Sequence, residues 1–251
     1  MDDMYKFASR YIVKGDASYA FVVLGNDKIL DFTELQKPQE ASWHSRPYEY
    51  AFVAIAILNA AMFKLIEPNN ILDLACGDIH PGYMSLANTP IIGKIYALDL
   101  NPALLTNGMD HPKVEKVIAD AASTGFGNNF FDAIACVSAL EHIDNYLDVM
   151  KEMHRILKPG GMAFVTLDIS TDVEKTRQHN VDGKTPDEYR NAFGYNGLHI
   201  FGTYDSTMPI DAVDTVCSKY PLVKDETEFK PGQHRALKAF KMILRKQEAT
   251  V

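Results

Sequence analysis

Short apolar runs and segments with helical spacing alternate along the chain from about residue 70. Apolar runs of this length predict strands, whereas apolar positions three and four residues apart predict helices. The predicted strands are Asn70–Ala75, Lys94–Leu98, Lys116–Ala119, Phe131–Val137, Met162–Leu167, and two near Leu222–Phe229 and Arg235–Leu244. Strands that alternate with helices favour an α/β fold, in which a doubly wound, mostly parallel sheet carries helices on both faces.

Helical segments lie between and before these strands. The longest apolar stretch, Ala51–Phe63, is shorter than the ~20 residues that a membrane span needs, so we predict a buried helix. Asn101 followed by Pro102 is typical of a helix start, because the amide side chain caps the helix and proline suits its first position. Helical spacing at Asn145–Leu157 ends at a proline-glycine-glycine turn, and a further short helix is predicted near Gly82–Ala87.

Composition narrows the classes of function. The 251 residues are 47% hydrophobic and carry a formal net charge of −8 without a basic run, which argues against a nucleic-acid partner. Cys76, Cys136 and Cys217 are widely spaced and odd in number, so we expect reduced thiols and neither a disulfide framework nor a metal site. The first ten residues lack an apolar signal core, and we expect a cytoplasmic protein with no membrane partner.

Three of the predicted strands are each followed directly by an acidic residue: Asp99, Asp120 and Asp168. In a doubly wound sheet, ligands bind beyond the carboxyl ends of the strands. Asp99 is placed to accept hydrogen bonds from ribose hydroxyls, and Asp120 is placed to meet an adenine amino group. A dinucleotide site needs Gly-x-Gly-x-x-Gly, but Ala75 stands at the first glycine position and Gly77 is the next glycine. A ligand with a ribose and an adenine but no phosphates fits better, and S-adenosylmethionine is such a ligand.

Six short motifs then follow one another in order. They are Ile71–Asp78, Tyr96–Asp99, Ile118–Ala121, Phe130–Ile134, Val137–Ile143 and Arg155–Gly161. This ordered set, over roughly residues 68–169, resembles class I S-adenosylmethionine-dependent methyltransferases of the small-molecule type, with Leu-Glu-His-Ile after the fourth strand. The resemblance implies a methyltransferase with a Rossmann-like, seven-stranded sheet whose last strand pair is antiparallel. Ile79 departs from the pattern, because many members have a third glycine there.

The resemblance also assigns residues to the cofactor. These are Asp73, Ala75, Gly77, Asp99, Leu100, Asp120, Ala121, Val137 and Ser138. Two more cofactor residues, Arg46 and Tyr50, are predicted from the aromatic-rich stretch 43–50. An arginine can clamp a carboxylate and an aromatic ring can cover a sulfonium. The alternative for this stretch is a helix start that packs on the core.

The acceptor half of the site is less specified by the motifs. His142 and Asp168 are candidate proton acceptors, although both suit ordinary structural roles and direct methyl displacement depends mainly on alignment. We expect a small-molecule acceptor of small or medium size, with a sugar or natural-product intermediate suggested by association only. A non-catalytic partner subunit with the same fold is the alternative, and a nicotinamide-dependent oxidoreductase is disfavoured by the missing glycines.

Four parts of the chain are expected on this basis. Residues 1–49 form an N-terminal extension or cap, 50–169 form the Rossmann-like core that binds S-adenosylmethionine, and 205–251 complete the same sheet. Residues 170–204 are polar and aromatic and follow the fifth strand, so we expect them to cover the substrate. Covering the sheet edge and making a homodimer contact are the alternatives for this segment.

Overall fold

The computed structural model describes residues 21–24, 28–31, 46–77, 86–107, 110–170, 184–201 and 237–247. A small antiparallel hairpin joins β1 (Phe21–Leu24) to β2 (Lys28–Asp31). Seven further strands form one sheet. They are β3 (Asn70–Leu74), β4 (Lys94–Asp99), β5 (Val114–Ile118), β6 (Phe131–Val137), β7 (Leu157–Ser170), β8 (Leu198–Ile200) and β9 (Leu237–Lys246).

The order of strands in this sheet is β5-β4-β3-β6-β7-β9-β8. Strands β3 to β7 are parallel, and β9 runs antiparallel to both β7 and β8. The chain moves outward from β3 in one direction through β4 and returns to its other side with β6. This reversal creates a crevice at the carboxyl ends of β3, β4 and β6. The predicted doubly wound, mostly parallel, seven-stranded fold is confirmed.

Helices cover both faces of the sheet. They are α1 (Arg46–Met62), α2 (Pro102–Asn107), α3 (Tyr146–Ile156) and α4 (Pro186–Tyr195). The predicted cap of α2 is confirmed, because the Asn101 Oδ1 accepts a 3.0 Å hydrogen bond from the Ala103 amide. A capping box begins α4, in which Thr185 and Glu188 satisfy each other's main-chain amides.

Alternation along the central strands divides the core into two layers. Ile71 of β3 packs with α1 on one face, and the neighbouring Leu72 packs with α3 and α4 on the other. Residues of β6 alternate in the same way and are all buried. A sheet covered on both faces needs such continuous apolar strands, and for this reason strands such as β3 and β6 could be predicted from the sequence.

The edge of the sheet differs from the prediction. Its last strand is β8, Leu198–Ile200, which the sequence analysis placed inside the segment 170–204. Three residues are too few to show the alternation of apolar and polar positions that predicts a strand. Pairing with β9 stabilises this strand instead. The strand predicted near 222–229 lies outside the described residues. Of the helix predicted near 82–87, only Leu86 and Ala87 are described, and both are helical and buried. Within the described part of the chain, no helix is long and apolar enough to cross a membrane.

Candidate functional site

The turn after β3 is tied to the end of β4. Ala75 and Gly77 adopt left-handed backbone conformations, with φ of 55° and 57°. The Cys76 amide donates a 2.9 Å hydrogen bond to the Leu98 carbonyl. The Gly77 amide donates a 2.8 Å hydrogen bond to Asp99 Oδ2. Ala75 therefore stands at a position that suits glycine conformationally, as the motif comparison indicated, and bears some backbone strain there.

The turn leaves space beside Gly77 among the described residues. Among the described residues, no atom lies within 4 Å of a Cβ built on Gly77, so the left-handed turn does not pack against the described core there. Asp73 lies two residues before Ala75 and is buried within β3. The turn thus lies at the carboxyl ends of β3 and β4, the edge at which sheets of this topology bind ligands.

Asp99 is held by two main-chain amides. Besides Gly77, the Asn101 amide donates a 2.9 Å hydrogen bond to Asp99 Oδ1. A carboxylate has about four acceptor positions, of which the described residues occupy two. The next residue, Leu100, is 67% exposed although it is large and apolar. A fixed carboxylate next to an exposed apolar side chain suits a sugar ring attached to a flat base.

Asp120 and Ala121 lie one strand further along the same edge. The Ala119 amide donates to the Asp99 carbonyl at 3.2 Å, which brings the ends of β4 and β5 together. Asp120 is exposed, and its Oδ1 accepts a 2.8 Å hydrogen bond from the Ala122 amide. Ala121 is buried. The acid is therefore fixed in a local turn through Oδ1, and no hydrogen bond from a described residue reaches its second oxygen.

The end of β6 forms the other side of the crevice. Ser138 directly follows Val137, is buried, and has a left-handed φ of 41°. Its amide donates to both the carbonyl, at 2.9 Å, and the Oγ1, at 3.1 Å, of Thr166 on β7. Ser138 is thus fixed to β7 at the point where the chain leaves the sheet.

A carboxylate from α1 completes this arrangement. Glu49, in the first turn of α1, is only 4% exposed. Its Oε2 accepts hydrogen bonds from the hydroxyls of Ser138 and Thr166, the latter at 2.5 Å. The sequence analysis grouped Glu49 with the aromatic-rich stretch but did not select it. An acid in a helix otherwise apolar for several turns is the signal that could have found it.

Arg46 and Tyr50, the two residues selected from that stretch, both lie in α1. Tyr50 is half-buried and packs against the core beside α1, in agreement with the alternative that the stretch is a helix start packing on the core. The side chain of Arg46 lies outside the described residues. A cofactor contact by either residue stays a prediction.

The candidate proton acceptors lie on two different elements. His142 ends a short 3-10 turn, Leu140–His142, after β6 and is exposed. Asp168 lies within β7, where its main chain pairs with Ala239, and its side chain lies outside the described residues. Cys136 is buried, and burial raises the pKa of its thiol, as do the charges of Glu141 and Asp73. A nucleophilic thiolate is therefore disfavoured at Cys136.

Comparison with known proteins agrees with the motifs. A methyltransferase-domain family profile matches residues 72–165. Over 104 residues the chain is 35% identical to the ubiquinone/menaquinone biosynthesis C-methyltransferase UbiE of Chromobacterium violaceum, covering 39% of this chain and 42% of that protein. The match therefore spans less than half the length of this curated relative.

Solved structures share the fold over more of the chain. One chain of a Haloferax volcanii complex that contains the Trm112 methyltransferase activator has a TM-score of 0.60 at 19% identity, covering 86% of this chain and 94% of that one. Phosphoethanolamine N-methyltransferase 2 of Haemonchus contortus, solved with S-adenosyl-L-methionine, has a TM-score of 0.53 at 17% identity, covering 76% and 53%. Residues 72–165 thus match a methyltransferase-domain profile, and the chain shares its fold with these solved structures.

Proposed function

We propose that the chain is an S-adenosylmethionine-dependent methyltransferase that acts on a small or medium-sized acceptor by direct methyl displacement. One observation carries the proposal. The 2.8 Å hydrogen bond from the Gly77 amide to Asp99 ties the left-handed turn after β3 to the acid that ends β4, and no described atom lies within 4 Å of a Cβ built on Gly77. That combination suits a ribose-containing ligand whose remaining part runs along the turn without phosphates.

The residues fit the two halves of the cofactor. The two acceptor positions left on Asp99 would take the ribose hydroxyls, and exposed Leu100 would pack against the adenine face. The second oxygen of Asp120 would accept from the adenine amino group, with the Ala121 amide as donor. On the other side of the turn, the methionine part would run past the residues that end β3 and β6, namely Asp73, Ala75, Gly77, Val137 and Ser138.

The bound cofactor would supply an activated methyl group on a sulfonium. The chain would then contribute alignment of the acceptor with that methyl group and exclusion of water, which together provide much of the rate in a displacement. A strong base is not required for every acceptor. His142 and Asp168 remain the candidates for removing a proton where the acceptor is a hydroxyl or an amine.

Two classes of acceptor deserve direct comparison. The sequence suggested a sugar or natural-product intermediate by association only, whereas the curated relative is named for ubiquinone and menaquinone biosynthesis. We therefore propose a hydroquinone as the test acceptor to compare with a sugar. Residues 170–204, which we propose to cover the acceptor, would distinguish these compounds, because acceptor contacts lie in variable segments and not in the cofactor motifs.

Binding is tested first, by titration calorimetry of the full chain with S-adenosylhomocysteine. One-site binding is expected, with no comparable thermal stabilisation by nicotinamide dinucleotides. Absence of heat on protein shown to be folded by circular dichroism contradicts the proposal.

Transfer is tested next, with S-adenosylmethionine labelled in the methyl group and a panel of hydroquinones, sugars, amines and phenols. Label recovered in one class of acceptor identifies the reaction. Tight cofactor binding with no transfer to any class favours the non-catalytic partner subunit. The Haloferax volcanii complex offers a matched follow-up experiment, in which transfer is retried with an added activator protein.

A further inference from the structure

The buried hydrogen-bond ring around Glu49 lies beside the candidate cofactor site. Its member Ser138 belongs to a family motif quoted above, whereas Glu49 lies outside all of them. The ring joins three elements that are far apart in sequence: α1 through Glu49, the end of β6 through Ser138, and β7 through Thr166. We propose that Glu49 is a positioning residue, which holds Ser138 in the left-handed conformation that the methionine half of the cofactor requires. This inference rests on the proposed function.

The direction of each hydrogen bond supports the assignment. Both hydroxyls donate to the same carboxylate oxygen of Glu49, and Thr166 Oγ1 also accepts from the Ser138 amide. The side chain and the main chain of Ser138 are therefore fixed by one closed set of bonds. Removing the carboxylate would leave two buried hydroxyls to find new acceptors, which is unfavourable in a dry interior.

The backbone of Ser138 is the part of the ring that matters for the ligand. A φ of 41° is unfavourable for any residue with a Cβ, so an external contact must hold it. Ser138 turns the chain out of β6 into the short 3-10 segment Leu140–His142. If Ser138 relaxed toward a right-handed or extended conformation, the main chain after β6 would move relative to the turn at Gly77.

The location of Glu49 at the start of α1 strengthens the case. Glu49 lies in the first turn of a helix of 17 residues, where a negative charge is stabilised by the helix dipole. The rest of α1 is anchored by a continuous apolar run from Phe52 to Leu58. Loss of the Glu49 carboxylate should therefore loosen the end of β6 without detaching the helix.

Glycine substitution distinguishes this role from ordinary packing. Glycine adopts a left-handed φ at little cost, whereas alanine keeps the conformational penalty and also lacks the hydroxyl. Because Ser138 itself borders the proposed cofactor site, Ser138→Gly serves as a reference background with its own Kd for S-adenosylhomocysteine. In the wild-type background, Ser138→Ala and Glu49→Ala should each weaken binding about tenfold. In the Ser138→Gly background, adding Glu49→Ala should change the Kd less than about threefold.

Conservative variants give the matched controls. Glu49→Gln keeps one acceptor oxygen and should fall between wild type and Glu49→Ala. Thr166→Ser keeps the hydroxyl and should bind as wild type does, whereas Thr166→Val should resemble Glu49→Ala. Hydrogen exchange gives a readout that does not need the cofactor: in Glu49→Ala, the segment 138–143 should exchange faster while residues 52–58 stay protected.

The outcomes separate the inference from the proposed function. A wild-type chain that binds no S-adenosylhomocysteine contradicts the function before any variant is compared, and the inference falls with it. If wild type binds, equal Kd values for Glu49→Ala and wild type overturn the inference alone. The same conclusion follows if Glu49→Ala weakens binding equally in the Ser138→Gly and wild-type backgrounds, since Glu49 would then act only through packing. Unchanged exchange at 138–143 in Glu49→Ala also overturns it.

Discussion

The amide of Gly77 donates a 2.8 Å hydrogen bond to the carboxylate of Asp99, across the ends of two neighbouring parallel strands. The bond makes the turn and the acid a single unit, because either residue loses its partner if the other moves. Asp99 is therefore both a structural acceptor for the turn and the proposed acceptor for the ribose. Substitutions at these two positions should affect cofactor binding by different routes.

Replacing Asp99 with alanine should weaken binding of S-adenosylhomocysteine by about 1–3 kcal/mol, because a charged acceptor shared with the Gly77 and Asn101 amides is lost. Titration calorimetry measures the change. Asp148→Ala is the matched control, since Asp148 is an exposed acid paired with Lys151 at 2.7 Å. An equal loss of affinity in both variants would show that Asp99 has no specific role.

Replacing Gly77 with alanine should separate a steric effect from a conformational one. Gly77 and Gly125 both have positive φ, 57° and 77°, and neither has an atom within 4 Å of a built Cβ. Each alanine variant should therefore lose about 1–2 kcal/mol of unfolding free energy. Only Gly77→Ala should also weaken the cofactor, because its methyl group would occupy the proposed ligand space. Urea unfolding and calorimetry on both variants check this, and parallel losses of affinity would place the ligand elsewhere.

Much of the fold, and the local turns of the candidate site, could be predicted from the sequence, and particular residues show why. The strands around Leu72 and Ile134 are continuous apolar runs because the sheet is buried on both faces. The cap at Asn101 and the turn at Ala75 depend on neighbours in sequence. The role of Glu49 depends instead on distant residues. Its partners Ser138 and Thr166 are 89 and 117 positions away, and no local pattern encodes such contacts.

Glu152 should make the stability of the chain sensitive to acid. Burial raises the pKa of Glu152, but hydrogen bonds from Arg155 and Thr124 outweigh it, and the pKa lies below its ordinary value of 4.5. The folded state therefore binds this proton less readily than the unfolded state does. The resulting stabilisation is complete above about pH 4.5 and is lost as the pH falls through the lower, folded-state pKa.

Glu152→Gln should isolate that contribution. At neutral pH the variant should lose about 1–3 kcal/mol of unfolding free energy, because Arg155 and Thr124 lose a charged acceptor. The difference from wild type should narrow below about pH 4.5, where the wild-type carboxyl also becomes protonated. Urea titrations at neutral pH and near pH 3.5 measure both values. A difference that stays constant with pH would contradict the assignment.

Helix α4 should behave as part of the core. Phe193 is fully buried against the layer that contains α3, whereas Tyr195, two residues later, is 91% exposed. Phe193→Ala should lose about 3–5 kcal/mol of unfolding free energy. Tyr195→Ala should change it by no more than about 0.5 kcal/mol. Thermal and urea unfolding distinguish them, and equal stability of the two variants would show that α4 does not belong to the folded core.

The central position of β3 also governs when the site can exist during folding. Its neighbours are β4, the next strand of the sheet along the chain, and β6, which comes much later. The Asn70 amide at the start of β3 donates a hydrogen bond to Asp132 near the start of β6, 62 positions away. Closing so long a loop is slow compared with forming local contacts. A nascent chain that has emerged only as far as β5 carries the turn and the acids of β3 and β4 but lacks the opposite wall of the crevice. A ligand that binds this crevice consequently recognises the completed sheet and stabilises it by mass action.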